Sequence, residues 1–311
     1  MDVISNIVEI IKHEQPKVLL TLDEPLRSYT TFRIGGPVRL MLFPDSVSSL
    51  IEVCSILNNN RITPLILGNG SNILANDEKL DIVVVNTSRL NHIGITVDND
   101  LLQQGYCDLR IEAGAWLSKI TGFAQDIELS GFEFAHGIPG SLGGAVVMNA
   151  GAYGGEIKDV VRETAAFNVK TGRFTVKGEE HEFSYRQSRF SNTEDVVLAS
   201  TIRLKKGSKK DIKKKMDELM KQRRENQPLN FPSGGSTFKR PKEGYAAALI
   251  EQAGLKGFTV GGAQVSEKHT GFIINREAAT FSDVMSVIDH VQNVVLKKFG
   301  VQLELEVKVL R

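Results

Sequence analysis

Cysteine is nearly absent: Cys54 and Cys107 are the only two in 311 residues, with no C-x-x-C pair and no zinc-ligand spacing. A protein of a reducing compartment, the cytoplasm, is expected. Charge of one sign is also lacking. The 38 Lys and Arg against 37 Asp and Glu leave a net charge of +1, which argues against a general nucleic-acid binder. No apolar run approaches the roughly 18 residues of a membrane span. The start, MDVISNIVEIIKHEQ, mixes acidic and apolar residues and predicts a short amphipathic helix rather than a signal peptide. No H-E-x-x-H, G-x-x-x-x-G-K-[ST] or G-x-S-x-G occurs, which lowers the metalloprotease, P-loop and α/β-hydrolase readings. The six histidines are scattered, so no metal site is expected, and His13, His92, His181 and His290 read as structural or surface residues.

What is present, 41% hydrophobic residues over this length, is enough for two or three domains with cores. Three parts are expected: residues 1–95, 96–204 and 205–311. In the first, Val38–Phe43 predicts a strand, and Asp45 or Ser46 caps a helix with Leu50, Val53, Cys54 and Leu57 on its apolar face. Pro64–Leu67 and Ile82–Asn86 predict strands on either side of the loop GNGSN. That loop lacks the third glycine and the strand–loop–helix order of a Rossmann fingerprint, so the motif is rejected. The second part predicts a strand at Leu109–Ala113, a helix at Trp116–Leu129 and strands ending in VVLASTIRL. The third predicts helices near Lys209–Arg224, Tyr245–Ala253 and Ser282–Phe299, with Gly300 as C-cap, and strands near Val260 and Phe272. VQLELEVKV at the end alternates strictly and predicts a strand. The lysine run Lys205–Lys215 is interleaved with acids and reads as a solvated helix face.

Eight of the 25 residues Gly131–Gly155 are glycine. In Gly137–Ala145 almost no side chain can itself do chemistry; what remains is a row of backbone N–H groups leading to a helix start, the surroundings a pyrophosphate takes. With LGNGSN upstream, two such loops suggest one dinucleotide gripped from two sides. Three polar positions stand out elsewhere. Ser236, in PSGGSTFKRP, has two glycines before it and Lys239 and Arg240 after it. Arg186, in FSYRQS, offers a planar fork for carboxylate or phosphate. Glu306 shares the polar face of the last strand with Gln302, Glu304 and Lys308. Taken singly, a turn serine, a surface salt bridge and a solvent-facing glutamate account for them better than catalysis does.

In order along the chain stand YTTFRIGGP, LGNGSNIL, GFEFAHGIPGSLGGAVVMNAGAYGGE, YRQS, PSGGSTFKRP, AGLKGFTVGGAQVS, HTGFIIN and LELEVKV. This series resembles the UDP-N-acetylenolpyruvoylglucosamine reductase (MurB) family from about Asp23 to the C-terminus. The resemblance implies an α+β chain: a two-subdomain FAD-binding fold of the vanillyl-alcohol-oxidase (PCMH) type in residues 1–95 and 96–204. A C-terminal α+β substrate-binding domain, residues 205–311, would contribute its last strand to the active site. The connection from Tyr185 to Ser236 has no room for the insertion of the longer subtype, so the shorter, type II form is implied.

The implied reaction is NADPH-dependent, FAD-mediated reduction of UDP-N-acetylglucosamine enolpyruvate to UDP-N-acetylmuramate, in peptidoglycan precursor synthesis. Hydride passes from flavin N5 to the terminal enolpyruvyl carbon and a proton comes from Ser236. Arg186 and Glu306 match the active-site arginine and carboxylate. Gly68, Asn69, Gly70, Ser71 and Asn72, with Gly137, Ile138, Pro139, Gly140, Ser141, Gly143, Gly144 and Ala145, would hold a non-covalent FAD. Tyr185, Lys239, Arg240 and His269 would meet substrate. The serine loop reads SGGS where many members have SAGS or SCGS, and the last strand reads ELEVKV where they have EPEVRF. A monomer without nucleic-acid or membrane partners is expected. Two alternatives stay open: a sugar or alcohol oxidase of the same fold, for which His136 is the nearby candidate to tether FAD, and a nucleotide-binding module without catalysis.

Overall fold

The computed structural model describes residues 3–242 and 244–311. The chain forms two compact units, one of Met1–Leu22, Leu40–Asn69 and Ile82–Lys221, the other of Asp23–Arg39, Gly70–Asp81 and Gln222–Arg311.

The first unit has two cores. In one, helix Val3–Glu14 buries Ile4, Ile7, Val8 and Ile11, a single face at helical spacing, in a cluster with Leu50, Val53, Cys54 and Leu57 of helix Val47–Asn59. Ser46 rather than Asp45 caps the latter helix, its hydroxyl accepting the Ser49 N–H at 3.1 Å. Strand Leu65–Leu67 pairs in parallel with strand Leu80–Asn86, Leu67 opposite Asn86. The GNGSN loop therefore leaves from the carboxyl end of a parallel strand.

The other core lies on an antiparallel sheet with strand order Gly172–Lys177, Val161–Asn168, Val196–Lys206, Tyr106–Glu112, Ile93–Thr96. Val196–Lys206 and Tyr106–Glu112 stay in register for seven pairs, from Ala199–Glu112 to Lys205–Tyr106. Their apolar residues Leu109, Ile111, Ile202 and Leu204 pack with Leu117 and Ile120 of helix Leu117–Asp126 and with Leu142 and Val146. That helix stops three residues before its expected end. Ile127 caps it, Glu128 turns out at φ 59°, and Leu129 joins a short strand instead.

In the second unit the antiparallel strands Thr259–Val260, Ala263–Val265 and Ile273–Asn275 back onto helix Phe281–Phe299, which buries Val284, Val287, Ile288, Val291 and Val295. Thr280 and Asp283 close a reciprocal capping box at its start, and Gly300 ends it at φ 70°. The C-terminal segment departs from expectation. Only Lys308–Leu310 is a strand, parallel to Ile73–Ala75, preceded by a single bridge between Leu305 and Phe238. The residues before it turn to a different partner: the Lys239 N–H donates to the Glu304 carbonyl at 2.9 Å and the Glu306 N–H to the Thr237 carbonyl at 2.8 Å. The period of two survives in burial: Val301, Leu303 and Val307 are buried while Gln302, Glu304 and Lys308 are exposed. Leu305, Glu306 and Val309 blur the pattern, all three being half-buried.

Helix Lys209–Asn226 exposes its lysines and buries Ile212, Met216 and Leu219, as the interleaved charges suggest. Among the described residues no helix is long and apolar enough to cross a membrane, and no group of three or more His, Cys, Asp or Glu stands together to hold a metal.

Candidate functional site

Two glycine loops meet in the first unit. Asn69 Nδ2 donates to the Pro139 carbonyl at 2.9 Å. A Cβ on Gly68 would stand 2.1 Å from Ser141 Oγ and 3.2 Å from its Cβ, so the Ser141 side chain fills the space that residue 68 leaves by having none. Ser141 is the N-cap of helix Leu142–Met148. The Leu142 and Gly143 N–H groups donate to the Ala115 and Ala113 carbonyls at 2.9 and 2.8 Å. Those two N–H groups anchor the segment to the end of strand Tyr106–Glu112, which narrows the row of bare donors expected from the sequence. Gly143 is also tight against that strand, a Cβ there lying 2.9 Å from the Ala113 Cβ. Gly137 turns at φ 80°, and the Gly140 N–H closes onto the Ile138 carbonyl at 2.9 Å. Two nearly side-chain-free backbones joined around a serine hydroxyl fit an anionic pyrophosphate, and so fit FAD.

His136, the tether candidate, has Nδ1 3.3 Å from Thr121 Oγ1.

Arg186 lies in the same unit, in a tight turn. Ser184 and Gln187 exchange N–H to carbonyl bonds at 3.0 and 3.2 Å, leaving Tyr185 and Arg186 at the tip. Arg186 has φ 57°, a left-handed conformation that a bulky residue holds only under strain. Its guanidinium carbon lies 5.1 Å from the Tyr185 ring centroid and its Nη2 3.5 Å from the Gly151 carbonyl. Nearby, burial pushes the Glu156 carboxyl up, but hydrogen bonds from Lys158 and Asn149 and the Lys158 and Arg186 charges outweigh it, leaving the group below its ordinary range.

Ser236 and Glu306 belong to the second unit, where one carbonyl links them. The buried Thr237, next to Ser236, accepts the Glu306 N–H at 2.8 Å. Thr237 is itself fixed, its N–H donating to Gly271 at 2.9 Å and its hydroxyl accepting the Ile273 N–H at 3.1 Å. Upstream, Thr31 and Ser233 exchange two bonds, Thr31 Oγ1 to the Ser233 carbonyl at 2.7 Å and the Ser233 N–H to the Thr31 carbonyl at 3.1 Å. The serine loop is thus pinned on both sides of Ser236. Asn72 belongs to the same unit: its Nδ2 donates to the Glu306 carbonyl at 3.0 Å, and the Lys308 N–H donates to the Asn72 carbonyl at 2.9 Å. Gly70, before Ser71, sits at φ 57°, where a Cβ would collide with the Tyr29 carbonyl at 2.0 Å.

The remaining expected residues have other partners here. Lys239 Nζ is paired with Glu304 at 3.2 Å, and Arg240 lies over the Tyr245 ring, 4.1 Å from its centroid. His269 is half-buried, its Nδ1 accepting the Gly271 N–H at 3.2 Å and its ring edge-on to Phe272; burial holds its pKa down. Two residues that organise the site escaped the sequence reading. Thr237 sits inside a motif already noted, masked by its neighbour. Asn149, fully buried and left-handed at φ 42°, ends helix Leu142–Met148; an asparagine at a helix end followed by Ala-Gly is the signal that marks it.

Residues 227–310 match the family described as UDP-N-acetylenolpyruvoylglucosamine reductase, C-terminal domain, and residues 38–177 match the FAD binding domain. The chain is 46% identical to UDP-N-acetylenolpyruvoylglucosamine reductase of Caldanaerobacter subterraneus subsp. tengcongensis over 99% of its own length and 97% of the relative. To the protein of that name from Clostridioides difficile it is 41% identical over 99% and 98%. The crystal structure of the Thermus caldophilus reductase superposes with a TM-score of 0.76 at 31% identity, covering 94% of this chain and 99% of that one. A berberine bridge enzyme variant superposes at 0.50 and 14% identity over 67% of this chain and 44% of its own, a likeness of fold alone.

Proposed function

We propose, for a chain that belongs to the UDP-N-acetylenolpyruvoylglucosamine reductase (MurB) family, that Ser236, Arg186 and Glu306 handle the proton and the developing charge when the enolpyruvyl ether is reduced. The chain is an FAD-dependent oxidoreductase. NADPH is the reductant in this reading and UDP-N-acetylmuramate the product. Residues 1–95 and 96–204 act as FAD-binding subdomains and 205–311 as the substrate-binding domain, in a cytoplasmic monomer.

The loops Gly68–Asn72 and Gly137–Ala145 hold FAD, the meeting of Gly68 with Ser141 and of Asn69 with Pro139 supporting that assignment. FAD, when bound, supplies the hydride for the terminal enolpyruvyl carbon. Negative charge then builds on the neighbouring carbon and spreads to its carboxylate. The Arg186 guanidinium meets those oxygens with a forked pair of donors, and Glu306 holds them by a shared proton. Ser236 donates its hydroxyl proton to the carbon. A serine is a weak acid, but the carbanion-like centre is a strong base, so placement decides the rate. Placement comes from Thr237, whose carbonyl bond to Glu306 at 2.8 Å ties proton donor and carboxylate into one unit; that observation carries the proposal. Tyr185, Lys239, Arg240 and His269 bind the rest of the substrate, with Lys239 exchanging Glu304 for a phosphate oxygen.

Half-reaction kinetics of Ser236→Ala test this. Bleaching by NADPH should keep the parent rate while recolouring by the enolpyruvyl substrate slows by orders of magnitude. Equal loss in both halves removes Ser236 from its assigned role.

A further inference from the structure

Asn149 makes three side-chain hydrogen bonds in the first unit with no part of it exposed. Its Nδ2 donates to Glu156 Oε2 and to the Ser184 carbonyl, both at 3.0 Å, and its Oδ1 accepts the Lys158 N–H at 3.0 Å. The two donor contacts go to oxygens and the acceptor contact to an N–H, so only one amide orientation satisfies the site. The Ser184 carbonyl is the one that closes the turn carrying Arg186. Glu156 belongs to the hairpin in which it pairs with Gly151, and the Gly151 carbonyl faces Arg186 Nη2 at 3.5 Å. The contacts therefore close a ring: Asn149 to Ser184, along the turn to Arg186, across to Gly151, over the hairpin to Glu156, and back to Asn149. A left-handed arginine at φ 57° persists only where its surroundings over-determine it, and this ring is that surrounding.

We propose that Asn149, acting with Glu156, is a positioning residue that fixes the Arg186 guanidinium for the substrate carboxylate, a proposal that rests on the role given to Arg186 above. Asn149 sets the turn through Ser184, and Glu156 supplies a counter-charge on the same side. Lys158, whose Nζ lies 2.8 Å from Glu156 Oε2, shares that carboxylate and keeps it ionised.

The test is a double-substitution cycle on the FAD-loaded full chain, reduced anaerobically with NADPH and read as the rate of recolouring by UDP-N-acetylenolpyruvoylglucosamine. Arg186→Ala slows recolouring, Asn149→Ala slows it by about 10²-fold, and the double variant is no slower than Arg186→Ala alone. FAD content and the rate of bleaching by NADPH stay at parent values throughout. Glu156→Gln enters the same cycle, which covers an Asn149→Ala chain that does not fold; it slows recolouring, and Glu156→Asp, which keeps the charge, recovers most of the loss. Losses that multiply in the double variants overturn the positioning role while the role of Arg186 stands. An Arg186→Ala chain that recolours at the parent rate overturns the Arg186 reading, and the positioning role falls with it.

Discussion

The hydroxyl oxygen of Ser141 occupies the space a side chain on Gly68 would need, 2.1 Å from where its Cβ would stand. A methyl group on residue 68 would turn the Ser141 hydroxyl away and still press on its Cβ, 3.2 Å distant. Gly68→Ala should therefore yield a folded chain that has lost its cofactor, with the flavin-to-protein absorbance ratio after gel filtration down about tenfold or more. A parent-like ratio would mean that this contact does not shape the cofactor cradle.

Gly234, in the SGGS loop, is filled from the other side. A Cβ would lie 2.8 Å from Phe32 Cε2 and 3.2 Å from Val307 Cγ2, with Phe32 fully buried. Gly234→Ala should cost about 1–3 kcal/mol by overpacking, seen as a lower urea midpoint at unchanged slope. Because Val307 adjoins Glu306, turnover should fall with it.

Glu306→Gln should keep the FAD content of the parent and the rate of bleaching by NADPH. Recolouring by substrate should slow by about 10²–10⁴-fold. A colourless apoprotein would instead make Glu306 a structural residue of the segment that Asn72 and Thr237 hold.

Local chemistry was legible where type and spacing decide the outcome: a cap at Asp45 or Ser46, the buried face of Val47–Asn59 and the Gly300 stop all follow from them. The end of helix Leu117–Asp126 was not, since the left-handed Glu128 carries no sequence mark, and neither was the shortness of strand Lys308–Leu310, whose preceding residues bond to Thr237 and Lys239 instead. The same holds for the site. The serine, arginine and glutamate motifs were readable as motifs. That Glu306 is half-buried in a segment held by Thr237 and Asn72, and that Asn149 holds the arginine turn, depend on contacts between segments far apart in sequence.

The buried His181 gives a pH signature. Its Nδ1 faces the Gly178 carbonyl and its Nε2 faces Thr164 Oγ1, both at 2.9 Å, and Thr164 Oγ1 in turn lies 2.9 Å from Ser200 Oγ. Burial lowers its pKa from 6.5, outweighing the Gly178 bond and the Glu180 charge that favour the cation, while the Arg189 charge adds to the lowering. The unfolded chain thus takes up a proton first. Its stabilising contribution is complete above about pH 6.5 and is lost as pH falls through the lower folded value. The urea midpoint should drop between pH 7 and 5, and His181→Gln should flatten that drop; an unchanged slope in the variant would remove His181 as its source.

The most direct measurement is an anaerobic absorbance titration of the purified protein, first with NADPH and then with UDP-N-acetylenolpyruvoylglucosamine. The account predicts a yellow protein that bleaches with the first and regains its colour with the second, one substrate per flavin. A flavin that bleaches but recolours only with oxygen, or a chain without flavin, would contradict it.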